Sequence, residues 1–186
     1  MTLEELIGAT LVVGLPGTRL TDEIAGHLRA IHAGGFIPFA RNFESPEQFR
    51  ELLSRMNEAC GRDVLVMVDH EGGRVVRFSS GVTDFPDALS VGASQGPDDV
   101  RRQGEIEAEE LRALGVHVNL APCVDVLVAG SDPGSATAPM VAIRSSFRPS
   151  GWRASAGFRA AGWRRAQNIF PVLGRCRRTR TSSFRR

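Results

Sequence analysis

The chain contains no lysine and no tyrosine, and no acidic residue beyond Asp132. No run of eighteen apolar residues occurs, which excludes a simple membrane-spanning helix. The three cysteines, Cys60, Cys123 and Cys176, are odd in number and lack metal-ligand spacing, which argues against a zinc site or a disulfide framework. Cys60 and Cys123 read as buried thiols in a reducing compartment. The acidic start Met1-Thr2-Leu3-Glu4-Glu5 has neither the basic residues nor the apolar stretch of a signal peptide, so a cytoplasmic protein is expected. No G-x-G-x-x-G fingerprint follows the first apolar strand, which weakens a dinucleotide-binding reading.

What remains is 186 residues with 42% hydrophobic content, enough for one domain with a substantial core. The net charge of +2 conceals a break. Residues 1–132 hold eleven arginines against all 21 acids, a balance of −10, whereas residues 133–186 hold twelve arginines and no acid, +12. Two regions follow, 1–133 and 134–186.

In the first region strand and helix patterns alternate. Thr10–Leu15 reads as a strand. A helix follows from about Thr21, with Asp22 and Glu23 in its first turn, Ile24, Leu28 and Ile31 on one face, and Gly34-Gly35 at its end. Phe36-Ile37-Pro38-Phe39 is a second strand. Ser45 caps a second helix with Pro46 in its first position and Phe49, Leu52, Leu53 and Met56 on its apolar face. Val64–Val68 is a third strand, Asp84-Phe85-Pro86 lies in a long loop, and a third helix runs from about Pro97 to Leu114 with Gly115 as its stop. Val116–Leu120 is the fourth strand. This β-α-β-α-β-α-β order predicts parallel strands joined by right-handed crossovers, in a doubly wound sheet or in half of a barrel. After Asp132 no strand or amphipathic helix is expected, and the composition is that of a basic tail of low order.

The candidate site is Asp69-His70-Glu71-Gly72-Gly73-Arg74-Val75-Val76-Arg77-Phe78, directly after the third strand. Ligands of parallel α/β folds bind at that end of the strands. If extended geometry persists, Asp69 and Glu71 share a face. Gly72 and Gly73 permit a sharp turn and a close approach to a ligand. Arg74 and Arg77 neutralise the acids or clamp a polar ligand, and a carboxylate beside an arginine suits sugar hydroxyls. Asp69 and Arg77 are the substrate-binding candidates. Glu71, Gly72, Gly73 and Arg74 are the loop-shaping ones, with an internal Glu71–Arg74 salt bridge as the alternative for that pair. His70 faces away from the acids and is not assigned as a catalytic acid. His27 and His32, five residues apart, read as surface or packing residues rather than metal ligands. His117 is expected at a helix layer or pocket edge, and Asp125 as a loop-shaping acid or a ligand.

At these residues the chain resembles glycoside hydrolase family 3, in particular its bacterial β-N-acetylglucosaminidases of cell-wall recycling. The likeness continues through Phe85-Pro86, Glu110-Leu111-Arg112-Ala113-Leu114-Gly115-Val116 and Asn119-Leu120-Ala121-Pro122-Cys123-Val124-Asp125-Val126, and covers about residues 3–133. The resemblance implies an α/β fold: the N-terminal half of a (β/α)8 TIM barrel, here followed by an irregular Arg-rich C-terminal tail. It implies that Asp69 accepts hydrogen bonds from sugar hydroxyls and that Arg77 helps to hold the sugar, a β-GlcNAc-terminated muropeptide or glycan fragment. It implies retaining hydrolysis through a glycosyl–enzyme intermediate, with an Asp nucleophile and a His general acid paired with an Asp. Neither cofactor nor metal is expected. A family 3 β-glucosidase differs only in the sugar, and the short Asp-x-Glu-Gly-Gly-Arg form favours the N-acetylglucosaminidase branch.

The family's later elements are absent in proper form, so no catalytic residue is assigned. Asn168-Ile169-Phe170-Pro171 stands where Lys-His-Phe-Pro is expected. The nucleotides that encode the tail permit another reading. Taking the third base of each codon with the first two of the next, residues 134–147 allow I-G-D-R-S-Y-G-G-D-P-E-L-V. Residues 166–174 allow A-K-H-F-P-G-L-G, and residues 178–181 allow D-S-H. These are the missing family segments, in family order and one frame. The expectation is a tail translated out of frame and a truncated, inactive glycosidase whose unpaired sheet edges make it unstable or oligomeric. The competing reading is a polyanion or RNA-binding module, in which the tail's arginines with Phe147, Trp152, Phe158 and Trp163 bind by charge and stacking. A specific nucleic-acid partner and a membrane partner are not expected.

Overall fold

A computed structural model describes residues 1–122 and, by backbone alone, 126–127 and 141–142. The helices are α1 (Leu3–Gly8), α2 (Asp22–Ala30), α3 (Pro46–Cys60), α4 (Ala88–Ser94) and α5 (Pro97–Ala113). The strands are β1 (Val12–Val13), β2 (Gly35–Phe36), β3 (Leu65–Val68), β4 (Val118–Asn119), β5 (Val126–Leu127) and β6 (Val141–Ala142). Strands β1 to β4 form one parallel sheet in the order β1-β2-β3-β4.

That order decides between the two architectures left open by the sequence. A doubly wound sheet reverses direction at a switch point, so its strands are not in sequential order. Here every crossover steps one strand the same way. Right-handed connections then put all the helices on one face, as in a (β/α) barrel.

The helices begin and end for local reasons. The Thr21 hydroxyl accepts the Ile24 amide at 3.3 Å to start α2. The Ser45 hydroxyl accepts the Gln48 amide at 3.2 Å, and Pro46 opens α3 where a missing N–H costs nothing. Gly61, at φ 64°, ends α3. On α3 the anticipated face is the buried one: Phe49, Leu52, Leu53 and Met56 all lie in the core.

Several expectations need correction. Helix α2 stops at Ala30, not at Gly34-Gly35, because His32 adopts φ 52° and turns the chain. Ile31 therefore falls outside the helix and is exposed. Helix α1 was not anticipated, although Thr2 and Glu5 form a reciprocal capping box. Nor was α4, capped by the Asp87 carboxylate, which accepts the Ser90 amide at 2.9 Å. Strand β6 falls where no strand was expected, in the apolar run Met140–Ile143, and pairs in parallel with β5. His117 is exposed rather than packed against a helix layer, and its Nδ1 accepts the Val66 amide at 3.0 Å. Cys60 is half-buried, and burial pushes its thiol pKa up. Among the described residues no helix is long and apolar enough to cross a membrane. Cys123, Asp125, Cys176, Asn168–Pro171 and the aromatic and arginine residues of the tail lie outside the described residues.

The core sits between the sheet and the helices. Phe36 of β2 lies 6.4 Å from Phe49 of α3, ring to ring. Phe78 meets Phe43 and Phe49 edge-on, each at 5.1 Å. Phe78 closes the candidate motif, so the segment carrying Arg77 is pinned to the core.

Candidate functional site

Because the strands are parallel, their carboxyl ends share one rim, and each contributes to it. The segments that follow β1 and β2 are laced together there by Asn42, which is fully buried. Its amide nitrogen donates to the carbonyls of Leu15 at 3.0 Å and Gly17 at 2.8 Å, and its oxygen accepts the Phe39 amide at 2.8 Å. Arg41 Nε donates to the same Leu15 carbonyl at 3.0 Å. Its guanidinium lies 4.6 Å from the Phe39 ring centre, and that of Arg77 lies 5.6 Å from it.

Strand β3 ends at Val68, and Asp69 is the next residue. Its carboxylate takes a two-pronged contact from Arg77: Nε donates to Oδ1 at 2.7 Å and Nη2 to Oδ2 at 2.5 Å. Their side chains are 26% and 21% exposed respectively, shielded from bulk water yet reachable. The hydrogen bond to Asp69 is the main influence that raises the Arg77 pKa, opposed by burial and assisted by the charges of Asp69 and Glu71. Each carboxylate oxygen keeps a second lone pair, and the guanidinium keeps further N–H groups. The pair thus offers acceptors and donors side by side, a match for neighbouring hydroxyls on a ring.

The turn between these two residues is built as anticipated from its glycines. Gly72 and Gly73 adopt φ 82° and 58°. The Glu71 amide donates to the Val75 carbonyl at 2.9 Å, and the Val75 amide donates to the Gly72 carbonyl at 3.1 Å. A Cβ on Gly72 would stand 2.6 Å from the Pro86 carbonyl oxygen, so the segment around Phe85-Pro86 closes over the turn. Glu71 bears on the pair through its charge on Arg77, while Arg74 is exposed on the turn.

His70 is buried at 3% exposure and stacks on Phe78 with ring centres 5.8 Å apart. Its Nδ1 accepts the Arg77 amide at 3.3 Å. Burial, then the Arg77 charge, lowers its pKa below the ordinary histidine value, so the ring is neutral at neutral pH. Asn119, at the end of β4, donates its amide nitrogen to the His70 carbonyl at 2.9 Å and accepts the His70 amide at 3.1 Å. These two hydrogen bonds extend the joining of β3 and β4 past their last ladder pair, Val68 and Asn119.

Arg41, Asn42 and Asn119 were missed by reading the sequence alone. Their signal was present for the asparagines: a polar amide inside an apolar segment has to be buried with partners. Among the described residues no group of three or more His, Cys, Asp or Glu is placed to hold a metal ion.

The sheet order defines an α/β protein of barrel-like type with polar groups at the carboxyl ends of its strands. Comparison with known proteins narrows this further. The family model of the glycosyl hydrolase family 3 N-terminal domain matches residues 2–137, and the chain belongs to that family. Its curated relatives include the β-hexosaminidase of Idiomarina loihiensis, 38% identical over 122 residues, covering 63% of this chain and 37% of that protein. The β-hexosaminidase of Methylococcus capsulatus is 42% identical over 115 residues, covering 60% and 34%. Among solved structures, a family 3 β-N-acetylglucosaminidase from Paenibacillus aligns with a TM-score of 0.78 and 28% identity, covering 88% of this chain and 32% of that one. NagZ from Neisseria gonorrhoeae in complex with N-trifluoroacetyl-D-glucosamine aligns with a TM-score of 0.73 and 26% identity, covering 82% and 47%. The resemblance is to hexosaminidase-type glycosidases, and the chain spans about a third of the length of the curated relatives it matches.

Proposed function

We propose that Asp69 and Arg77 form the sugar-recognition part of a family 3 β-N-acetylhexosaminidase, directed at terminal β-N-acetylglucosamine. The observation that carries this reading is the two-pronged Asp69–Arg77 pair at the strand-end rim. In the reaction that the family resemblance implies, the pair holds the hydroxyls of the sugar while groups elsewhere supply nucleophile and acid. Titration of the chain with N-acetylglucosamine, followed by calorimetry, tests it. Asp69→Ala is expected to weaken binding by about 10- to 100-fold, the loss that goes with a charged hydrogen bond. Equal binding by Asp69→Ala and the parent chain would remove the pair from recognition.

Residues from about 134 onward read as out-of-frame translation, and the chain as written reads as an inactive cytoplasmic glycosidase whose ancestors acted in cell-wall recycling. The absence of any acid after Asp132, with family peptides that codon degeneracy permits in one alternative frame, supports this. Resequencing the gene across the codons for residues 125–140 tests the frame, and an uninterrupted gene whose codons exclude those peptides defeats it. Hydrolysis of a chromogenic β-N-acetylglucosaminide by the purified chain, abolished by Asp69→Ala, would show instead that it is active. The twelve arginines of residues 133–186 also support a second reading, non-specific binding of polyanions. That binding is expected to weaken steeply with salt, and salt-independent RNA affinity would contradict it.

A further inference from the structure

Helix α5 reaches the Gly72-Gly73 turn through a clamp at Glu110. Both carboxylate oxygens of Glu110 are taken by a single residue 27 positions earlier. The Thr83 amide donates to Oε2 at 2.6 Å, and the Thr83 hydroxyl donates to Oε1 at 2.7 Å. Thr83 opens an extended strap, residues 83–87, that lies over the turn between Asp69 and Arg77. Two residues along the strap, the Phe85 carbonyl accepts the Gly73 amide at 2.8 Å. A Cβ on Gly73 would come within 2.6 Å of the Asp87 side chain, so strap and turn are in full contact. At its far end the strap continues into α4 through the Asp87 cap.

The order of these bonds has a mechanical meaning. The turn's own two hydrogen bonds close it upon itself but do not locate it against the helices. The strap adds an attachment to α5 beside the anchoring by Phe78, and the Glu110–Thr83 bonds tie its exposed beginning to the helix next to Val82, which packs on the core. A charged acceptor that satisfies an amide and a hydroxyl together is a strong tether for an otherwise irregular segment.

We propose that Glu110 is a positioning residue for the Asp69–Arg77 pair, acting through Thr83 and the strap 83–87. The part of the proposal that concerns sugar affinity rests on the recognition reading given above, and the part that concerns the turn does not. Thr83→Val keeps the amide donor and size but deletes the hydroxyl donor. Glu110→Gln deletes the charge and one acceptor. Thr83→Ser keeps both donors. Thr83 is exposed and Glu110 half-buried, so none of these changes opens the core.

The test is backbone amide hydrogen exchange by NMR on the full chain, read at Gly73, with the Ile37 amide as control. The Ile37 amide donates to Val13 at 2.9 Å within the sheet region. Exchange at Gly73 is expected to accelerate about tenfold or more in Thr83→Val and Glu110→Gln, with Ile37 unchanged and Thr83→Ser like the parent chain. The same three variants are titrated with N-acetylglucosamine. The first two are expected to bind several-fold more weakly, and Thr83→Ser to retain parent affinity. Gly73 exchange that stays at the parent rate in Thr83→Val and Glu110→Gln overturns the proposal. So does Ile37 exchange that accelerates equally, since that is general destabilisation. If the parent chain binds no N-acetylglucosamine, the recognition reading fails by itself, and Gly73 exchange still decides the clamp.

Discussion

The two faces of the sheet across β1, β2 and β3 both carry aliphatic residues and have different fates. On the helix side the row Val13–Phe36–Val66 runs across three strands in register, with Phe36 and Val66 exposed by 0% and 1%. On the other side the adjacent row Val12–Gly35–Leu65 leaves Val12 and Leu65 exposed by 42% and 45%. In a closed barrel this second face is the packed interior, filled by layers of side chains from all eight strands. The contrast shows that valine and leucine on these strands are buried where a helix covers them and exposed at Val12 and Leu65 where none does.

The sharpest way to break the comparison is to empty the helix side. Phe36→Ala removes a fully buried ring packed on Phe49 and is expected to cost about 3–5 kcal/mol, read from urea unfolding. A cost below 1 kcal/mol would mean that the phenylalanine cluster does not organise the fold.

The helix layer also holds one group out of keeping with it. Glu107 of α5 is buried, and burial pushes its carboxyl up to about 7, against the weaker lowering by its bond from Gln103. The folded state therefore keeps its proton where the unfolded state has lost it. Stability from this group is intact at low pH, declines as pH rises from about 4.5 to 7, and then levels off, a total of about 3 kcal/mol. Glu107→Gln is expected to be more stable than the parent chain at pH 8, with the advantage shrinking towards pH 5. Parallel pH–stability curves for the two would contradict the assignment.

At the rim, Asn119→Ala leaves both backbone groups of His70 without their partner and is expected to cost about 2 kcal/mol. Thermal unfolding measures it, and no change in Tm would show that water substitutes freely.

The smallest effect is expected on the uncovered face. Leu65→Thr places a β-branched, strand-compatible residue at an exposed position and should change stability by no more than about 0.5 kcal/mol. A loss near that of Phe36→Ala would reveal that this face is covered in solution, and would erase the contrast between the two sides.

Much of this was legible along the chain because its causes are local. Ser45 and Pro46 start α3 by supplying an acceptor and omitting a donor within one turn, and the apolar spacing of Phe49, Leu52, Leu53 and Met56 orients it. The Gly72-Gly73 turn follows from backbone freedom alone. Helices α1 and α4 escaped notice because they are short, six and seven residues, and too brief for a periodic pattern to emerge. The early end of α2 escaped because a left-handed histidine, His32, took the place a glycine usually fills.

The sequence by itself determined the family, the strand-end placement of Asp69, and the change in charge after Asp132, since each is a matter of residue identity and order. Only the tertiary structure decided that the sheet runs β1-β2-β3-β4 and therefore belongs to a barrel. It alone joined Asn119 to His70 across 49 residues, Asn42 to Leu15 across 27, and Glu110 to Thr83 across 27. The physical reason is the same in each case. A buried amide or a carboxylate requires partners, but which ones it finds depends on the segments that the packing of other residues brings to it.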